Sequence, residues 1–261
     1  MNLENNAYHS ELKAKLKAQW QTEENYAFKG WDFSHLDGRW KEEALPWDYR
    51  ELLIALLKST DTLLDMGTGG GEFLLSLGHS PELTSVTEAY PPNVELCKKT
   101  LAPMGITVKE ADGGQPLPFN ASSFDVVANR HEDFNPSEVS RILKPGGLFI
   151  TQQVGGKNDE ELSLRLLPDF VPPFPEHTLE KNKMALEQAG FQILKSEEAF
   201  TPLRFYDVGA LVYFAKIIEW EFPGFSVESA FEQLWDCRKE ITKNGFVQGT
   251  EHRFLLIARK P

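Results

Sequence analysis

The run Leu63-Leu64-Asp65-Met66-Gly67-Thr68-Gly69-Gly70-Gly71-Glu72-Phe73 constrains this chain more than any other segment. The apolar stretch from Thr62 to Met66 reads as a buried strand, and Phe73 to Leu77 as a short apolar helix. Between them glycine recurs at 67, 69 and 71. Lacking a Cβ, the chain can turn tightly there and lay bare main chain against a ligand. The N–H groups that open the following helix then face that ligand. The spacing excludes two common nucleotide sites. G-x-G-x-x-G needs a third glycine where Glu72 or Leu74 stands, and G-x-x-x-x-G-K-[ST] is absent.

What fits is Asp65-x-Gly67-x-Gly69-x-Gly71. A carboxylate two residues before the first glycine repels a pyrophosphate and suits a ligand carrying positive charge. S-adenosylmethionine, with a sulfonium and an ammonium group, is such a ligand. Further polar residues follow at successive strand ends. Leu83 to Thr87 reads as a strand ending at Glu88, roughly 20 residues beyond the glycines, where a carboxylate can accept both hydroxyls of a ribose. Ile106 to Lys109 leads to Asp112-Gly113, suited to an adenine amino edge. Phe124 to Ala128 ends in Asn129-Arg130-His131-Glu132. A helix (Pro136 to Leu143), the turn Lys144-Pro145-Gly146-Gly147 and a strand (Leu148 to Val154) follow. Strands alternating with helices predict a parallel α/β sheet that binds ligands beyond the strands' carboxyl ends.

On Leu64-Asp65-Met66-Gly67-Thr68-Gly69-Gly70-Gly71, Glu88, Asp112, Phe124-Asp125-Val126-Val127 and Leu143-Lys144-Pro145-Gly146-Gly147, the chain resembles the class I S-adenosylmethionine-dependent methyltransferases. The resemblance covers residues 45 to 200, most clearly 61 to 154. Its last motif is similar to the branch acting on small metabolites or quinones, although some RNA-methylating enzymes share it. The resemblance implies a doubly wound, seven-stranded, mostly parallel sheet with an antiparallel last strand. It implies that Gly67, Gly69 and Gly71 pack against the methionine part of the cofactor, and that Asp65 positions that loop and the ammonium group. Glu88 would hold the ribose, with Ala89 or Tyr90 against adenine. Asp112 and Gly113 would meet the adenine edge, and the Asn129 backbone the methionine end.

Outside that core, residues 1–45 read as an N-terminal cover: an amphipathic helix from Ser10 to Trp20, then an irregular segment with Trp31, Phe33 and Trp40. The core spans residues 46–200. Pro46 opens a helix to Lys58 with Trp47 and Tyr49 at its start. In the resembling family this region lies beside the methionine end of the cofactor, which makes both residues candidates for the substrate pocket. After Gly155-Gly156 come an acidic segment, a proline-rich loop (Pro168 to Pro175), a helix (Thr178 to Ala189) and a strand (Phe191 to Ser196). Residues 201–245 form a helical insertion, with an apolar helix at Val208 to Ile218 and a second from Ser226 to Thr242. It either covers a substrate pocket or buries itself against a neighbour. Residues 246–261 supply the last strand, Arg253 to Arg259.

A formal net charge of −12 opposes non-specific nucleic-acid binding, though it leaves a local basic groove open. The two cysteines, Cys97 and Cys237, read as reduced core thiols of a cytosolic protein, and no zinc-ligand cluster occurs. The first residues lack the features of a signal peptide, and no apolar run nears the ~18 residues that span a bilayer. The expectations are a cytoplasmic protein with a small-molecule substrate, no membrane partner and no metal, with a homodimer left open.

Methyl transfer from a sulfonium is a direct displacement, so the protein chiefly aligns nucleophile, methyl carbon and sulfur. His131 is the histidine expected near the methyl group, and an unperturbed pKa of ~6.5 would make it competent as a base. Glu132 would orient that histidine or bind substrate. Asn129-Arg130-His131-Glu132 departs from the Asn/Asp-Pro-Pro-aromatic motif of enzymes methylating exocyclic base amines. Neither cysteine stands near the site, as pyrimidine C5 methylation would need. Three readings follow: a methyltransferase acting at O or N of a small, partly apolar acceptor; an RNA-methylating enzyme; and a non-catalytic regulatory or scaffold module that binds the cofactor.

Overall fold

The computed structural model describes residues 2–28 and 33–261, so Trp31 of the expected aromatic cover lies outside the described residues. In chain order the elements are α1 (Asn2–Glu24), β1 (Trp40–Glu42), α2 (Tyr49–Leu56), β2 (Leu63–Met66), α3 (Glu72–Ser76), β3 (Thr84–Glu88), α4 (Pro91–Thr100), β4 (Thr107–Glu110), β5 (Phe124–Arg130), α5 (Pro136–Ile142), β6 (Leu143–Val154), α6 (Glu160–Leu166), α7 (Leu179–Gln188), β7 (Gln192–Phe205), α8 (Val208–Ile217), α9 (Phe231–Asn244) and β8 (Val247–Arg259). The strand order is β1-β7-β8-β6-β5-β2-β3-β4. The sheet is therefore eight-stranded, not seven: the short β1 pairs antiparallel with the end of β7, Trp40 opposite Phe205. The chain divides into two compact units. One comprises Met1–Ala44, Lys157–Pro175 and Phe200–Glu251, the other Leu45–Gly156, Glu176–Ala199 and His252–Pro261.

The second unit carries the parallel strands. β2 pairs with β3 on one side and β5 on the other, Leu63 lying opposite both Thr84 and Val126. β6 runs parallel to β5 and antiparallel to β8. Successive side chains of a strand point to opposite faces, and both faces here are covered. Leu63, Val126, Ile150 and Leu255 pack with Leu53 of α2, Leu74 of α3 and Cys97 of α4. Leu64, Val127, Phe149 and Leu256 pack with Val139 of α5 and Leu186 of α7. That double cover is why Leu63 to Met66 is buried at all four positions. Each buried leucine contributes about 1.5–3 kcal/mol.

Local chemistry sets where these elements begin. α2 starts at Tyr49 and not at Pro46, because the Asp48 side chain caps it by accepting the Glu51 N–H at 3.0 Å. Pro91-Pro92 opens α4. The Asp125 carboxylate accepts the Thr62 N–H at 2.8 Å and Lys144 Nζ at 2.7 Å, pinning the starts of β2 and β5 to the turn before the parallel part of β6.

The first unit has its own core, in which Trp20 of α1, Leu211 of α8 and Leu234 of α9 meet Leu203 and Phe205 of β7. Every α8 residue from Val208 to Ala215 is buried. Helix α8 is thus the centre of this unit's core, and its apolar surface is used within the unit. Arg39 donates to Glu23 Oε1 at 2.9 Å and to both carboxylate oxygens of Asp207, at 2.9 and 2.7 Å. Asp207 in turn caps α8 through the Ala210 N–H at 2.8 Å. Among the described residues no helix is long and apolar enough to cross a membrane.

Candidate functional site

Residues at the carboxyl ends of β2, β3 and β5, within the second unit, bring acids to one glycine turn. Asp65 is only 4% exposed. Burial pushes its carboxyl up to about 6, with Glu88 adding to the rise and the Thr68 hydroxyl and Arg130 opposing it. The turn is pinned by the Thr68 N–H on the Thr87 carbonyl and the Gly71 N–H on the Thr68 carbonyl, both 3.1 Å. Gly69 adopts φ +62°, a left-handed conformation that glycine takes without strain. Its N–H donates to Glu88 Oε2 at 2.8 Å, and its carbonyl accepts the Cys97 thiol at 3.1 Å. Burial, followed by the charges of Glu88, Glu72 and Asp65, pushes that thiol up to about 11, so Cys97 is an inert core thiol at neutral pH.

The three glycines differ in what they face. A Cβ at Gly69 would meet nothing within 4 Å, whereas one at Gly67 would fall 2.6 Å from Glu132 Cβ and one at Gly71 2.8 Å from Leu101 Cδ1. Only Gly69 of the three turns its bare side to open ground. Gly67 and Gly71 each admit a neighbouring side chain, Glu132 and Leu101.

Glu88 is 8% exposed, and its Oε1 accepts the Ala89 and Tyr90 N–H groups, each at 2.9 Å. With Gly69 this makes three backbone donors on one carboxylate, leaving capacity for about one more. The carboxylate as it stands can therefore take one ribose hydroxyl, not two. Ala89 is exposed beside it. Asp112 is exposed, with one oxygen accepting the Gly114 N–H at 2.8 Å. Gly113 is buried, and a Cβ there would overlap the Asp133 carbonyl oxygen. Close chain-to-chain packing, not ligand approach, is what requires glycine at 113.

Asn129 is fully buried. Its Oδ1 accepts Thr151 Oγ1 at 2.9 Å and Gln153 Nε2 at 2.6 Å. Its N–H donates to Tyr49 Oη at 3.1 Å, and its carbonyl accepts that hydroxyl at 3.0 Å. The Asn129 main chain is thus occupied by Tyr49. Tyr49 is 6% exposed, with a hydroxyl that also reaches the Ile150 carbonyl at 2.9 Å. Trp47 is 8% exposed and donates its indole N–H to Gln152 Oε1 at 2.8 Å. Both aromatics belong to the core around α2, and their polar atoms are used inside the protein.

His131 follows β5 with φ +64°, and its N–H donates to the Gln152 carbonyl at 2.8 Å. Its Nε2 lies 3.0 Å from Gln152 Nε2. Desolvation, followed by the charges of Arg253 and Arg130, lowers the imidazole below its ordinary value. An imidazole lowered in this way is a weaker base than a free one. Glu132 sits half-buried against Gly67, its Oε1 accepting the Gly113 N–H at 3.3 Å. Burial first, then the charges of Glu88, Asp112 and Asp133, raise its carboxyl above the usual range. Its side chain is directed at Gly113 and Gly67. Arg130 stacks its guanidinium 4.2 Å over the Phe73 ring.

The residues missed from sequence are Thr151, Gln152 and Gln153, three consecutive buried polar groups in β6. They tie Asn129, His131 and the Glu132 carbonyl together. The signal was a polar triplet inside the apolar run Leu148 to Val154, where a buried polar group needs a partner. Chemically, a desolvated carboxylate, a carboxylate with one acceptor position to spare, an exposed acid and open main chain at Gly69 suit a cationic nucleoside. Among the described residues no group of three or more His, Cys, Asp or Glu side chains is set to hold a metal.

Residues 64–151 match the family described as "Methyltransferase domain". A sterol 4-C-methyltransferase of Caenorhabditis elegans is 35% identical over 107 residues, 37% of this chain and 32% of that protein. The uncharacterized methyltransferase YodH of Bacillus subtilis (strain 168) is 30% identical over 95 residues, 34% of this chain and 41% of that protein. The chain thus spans less than half the length of these curated relatives. Among solved structures, a candidate methyltransferase of Bacillus halodurans C-125 superposes with a TM-score of 0.55 at 18% identity, covering 82% of this chain and 99% of that one. The YcgJ protein of Bacillus subtilis gives 0.54 at 18% identity, covering 81% and 97%. These two share the fold.

Proposed function

We propose, on the premise that residues 64–151 match a methyltransferase domain, that this chain uses S-adenosylmethionine to move a methyl group to an oxygen or nitrogen of a small, partly apolar acceptor. The observation that carries the reading is the pairing of a buried, desolvated Asp65 with Glu88, whose carboxylate holds the Gly69 N–H beside open main chain. A buried carboxylate with a raised pKa gains most from a ligand that brings its own cation. S-adenosylmethionine supplies an electrophilic methyl on a sulfonium and carries an ammonium group. Asp65 would face that positive end, Glu88 would take one ribose hydroxyl, and the free oxygen of Asp112 would take the adenine amino group. The core packed on both sheet faces holds these acids still, which is the alignment an in-line displacement needs. The relative named for a sterol supports an apolar acceptor, and the net charge of −12 weighs against RNA.

Calorimetry with S-adenosylmethionine and S-adenosylhomocysteine tests the cofactor. S-adenosylhomocysteine release over a panel of phenol, amine, sterol and RNA acceptors tests the reaction. Absence of binding overturns the reading; binding with turnover only on RNA replaces the acceptor; binding with no turnover favours a regulatory module.

A further inference from the structure

The histidine that follows β5 is wired to one tautomer. An indole N–H can only donate, so the 2.8 Å contact from Trp47 fixes the oxygen of the Gln152 amide on that side. The amide NH2 is left facing His131 Nε2 at 3.0 Å. An amide NH2 also only donates, so Nε2 must offer its lone pair and the ring proton must sit on Nδ1. The main-chain N–H of His131 is held on the Gln152 carbonyl at 2.8 Å, which fixes the backbone that carries the ring. Among the described residues Nδ1 has no hydrogen-bond partner, and His131 is an exposed residue. The charged groups acting on the ring are Arg253 and Arg130, both cationic. The acid beside it in sequence, Glu132, is turned to Gly113 and Gly67.

Resting on the methyltransferase reading above, we infer that His131 is a fixed Nδ1–H donor to the methyl acceptor, with Gln152 and Trp47 as positioning residues, and that the acceptor is a small oxyanion such as a carboxylate or phenolate. A fixed donor whose acting charges, those of Arg253 and Arg130, are cationic favours an anionic oxygen over an ammonium group. The choice also completes the chemistry without a base. An anionic oxygen already holds the lone pair that forms the new O–C bond, the C–S bond pair leaves with sulfur, and no proton has to move.

Nitrogen NMR on the full chain labelled at histidine reads the tautomer without any ligand. The expected result is a proton on Nδ1, a bare Nε2 and no titration of His131 between about pH 5 and 8. In Gln152→Glu a carboxylate accepts from both neighbours, so Nε2–H appears and the ring begins to titrate. A wild-type ring that is protonated on Nε2, or that titrates near ~6.5, overturns the inference. With the protein saturated in S-adenosylhomocysteine, salicylate should move the His131 Nδ1 resonance while benzylamine, a cation of similar size, leaves it in place. His131→Asn keeps a donor and suits the left-handed backbone, so it should retain salicylate binding within a few-fold. His131→Gly should weaken it by about tenfold. Equal losses in both variants, or a response to benzylamine alone or to neither probe, overturn the acceptor class. Failure to bind S-adenosylhomocysteine would instead count against the cofactor reading and leave the tautomer measurement standing.

Discussion

Glu88 holds the Gly69 N–H at 2.8 Å, so the carboxylate at the tip of β3 and the open point of the glycine turn form one unit. Gly69→Val acts on both members. The left-handed backbone at φ +62° costs a valine about 1–2 kcal/mol, and the added methyls enter space that no protein atom occupies within 4 Å of the Cβ. Calorimetry should show cofactor binding lost while circular dichroism and a cooperative unfolding transition persist. Unchanged affinity would refute the assignment of the turn.

Asp65 gives a pH dependence with a definite sign. Its carboxyl titrates near ~3.9 in the unfolded chain and at about 6 in the fold. The folded state therefore binds the proton more tightly, and stability falls as pH rises from ~3.9 to about 6 before levelling off. Asp65→Asn should stabilise the free protein on the order of 2–3 kcal/mol at pH 7 and by little below pH ~4. The same substitution should weaken S-adenosylmethionine binding, and wild-type affinity should rise with pH through about 6. Urea unfolding at both pH values and calorimetry across the range check these outcomes.

The parts of this fold that were legible are those written locally. The glycine turn, the order of β2, β3, β4, β5 and the parallel part of β6, and the acids at their tips follow from period, turn chemistry and spacing. What escaped depends on partners distant in sequence. β1 is three residues, Trp-Lys-Glu, and exists because it meets the end of β7 more than 160 positions later. α6 begins after Asp159, a residue of N-cap type that here adopts a left-handed conformation and makes no side-chain cap. The Glu132 side chain against Gly67, the Tyr49 hydroxyl on the Asn129 main chain and the Trp47–Gln152 contact likewise join positions 65 to 105 apart. A sequence places such residues on the right strand or helix end; it does not tell which of their polar atoms are already spent.

Gly113 separates packing from binding. An alanine methyl would strike the Asp133 carbonyl oxygen, a backbone atom with little room to yield. Gly113→Ala should cost about 1–3 kcal/mol or more through overpacking, read as a lower midpoint in urea.

Arg39 ties α1 to the start of α8 inside the first unit through Glu23 and Asp207. Burial raises the carboxyls of Glu23 and Asp207, but hydrogen bonds and charge from Arg39, joined by His35 at Glu23 and by the Ala210 and Gly209 N–H groups at Asp207, hold both below their usual range. A depressed carboxylate contributes stability above its unfolded pKa and loses it as pH falls through the folded one. Arg39→Lys loses the two-pronged contact and should cost about 1–3 kcal/mol near neutrality, discounted because the cluster is partly exposed. The difference from wild type should shrink as pH drops below ~4.

Trp47→Phe tests the relay at its far end, away from any ligand. The indole N–H alone assigns the Gln152 oxygen, so removing it leaves that oxygen buried without its donor, at a cost of about 1–3 kcal/mol. The amide can recover a partner by turning over, which brings Oε1 to His131 and favours a proton on Nε2. Nδ1 then becomes an acceptor, and the ring loses the donor directed at the oxyanion. The expected signature is twofold: the histidine tautomer exchanges in the nitrogen spectrum, and salicylate affinity drops while S-adenosylhomocysteine affinity stays. A variant that is merely destabilised would lower both affinities together and leave the tautomer unchanged. That outcome would reduce Trp47 to a packing residue of the α2 core.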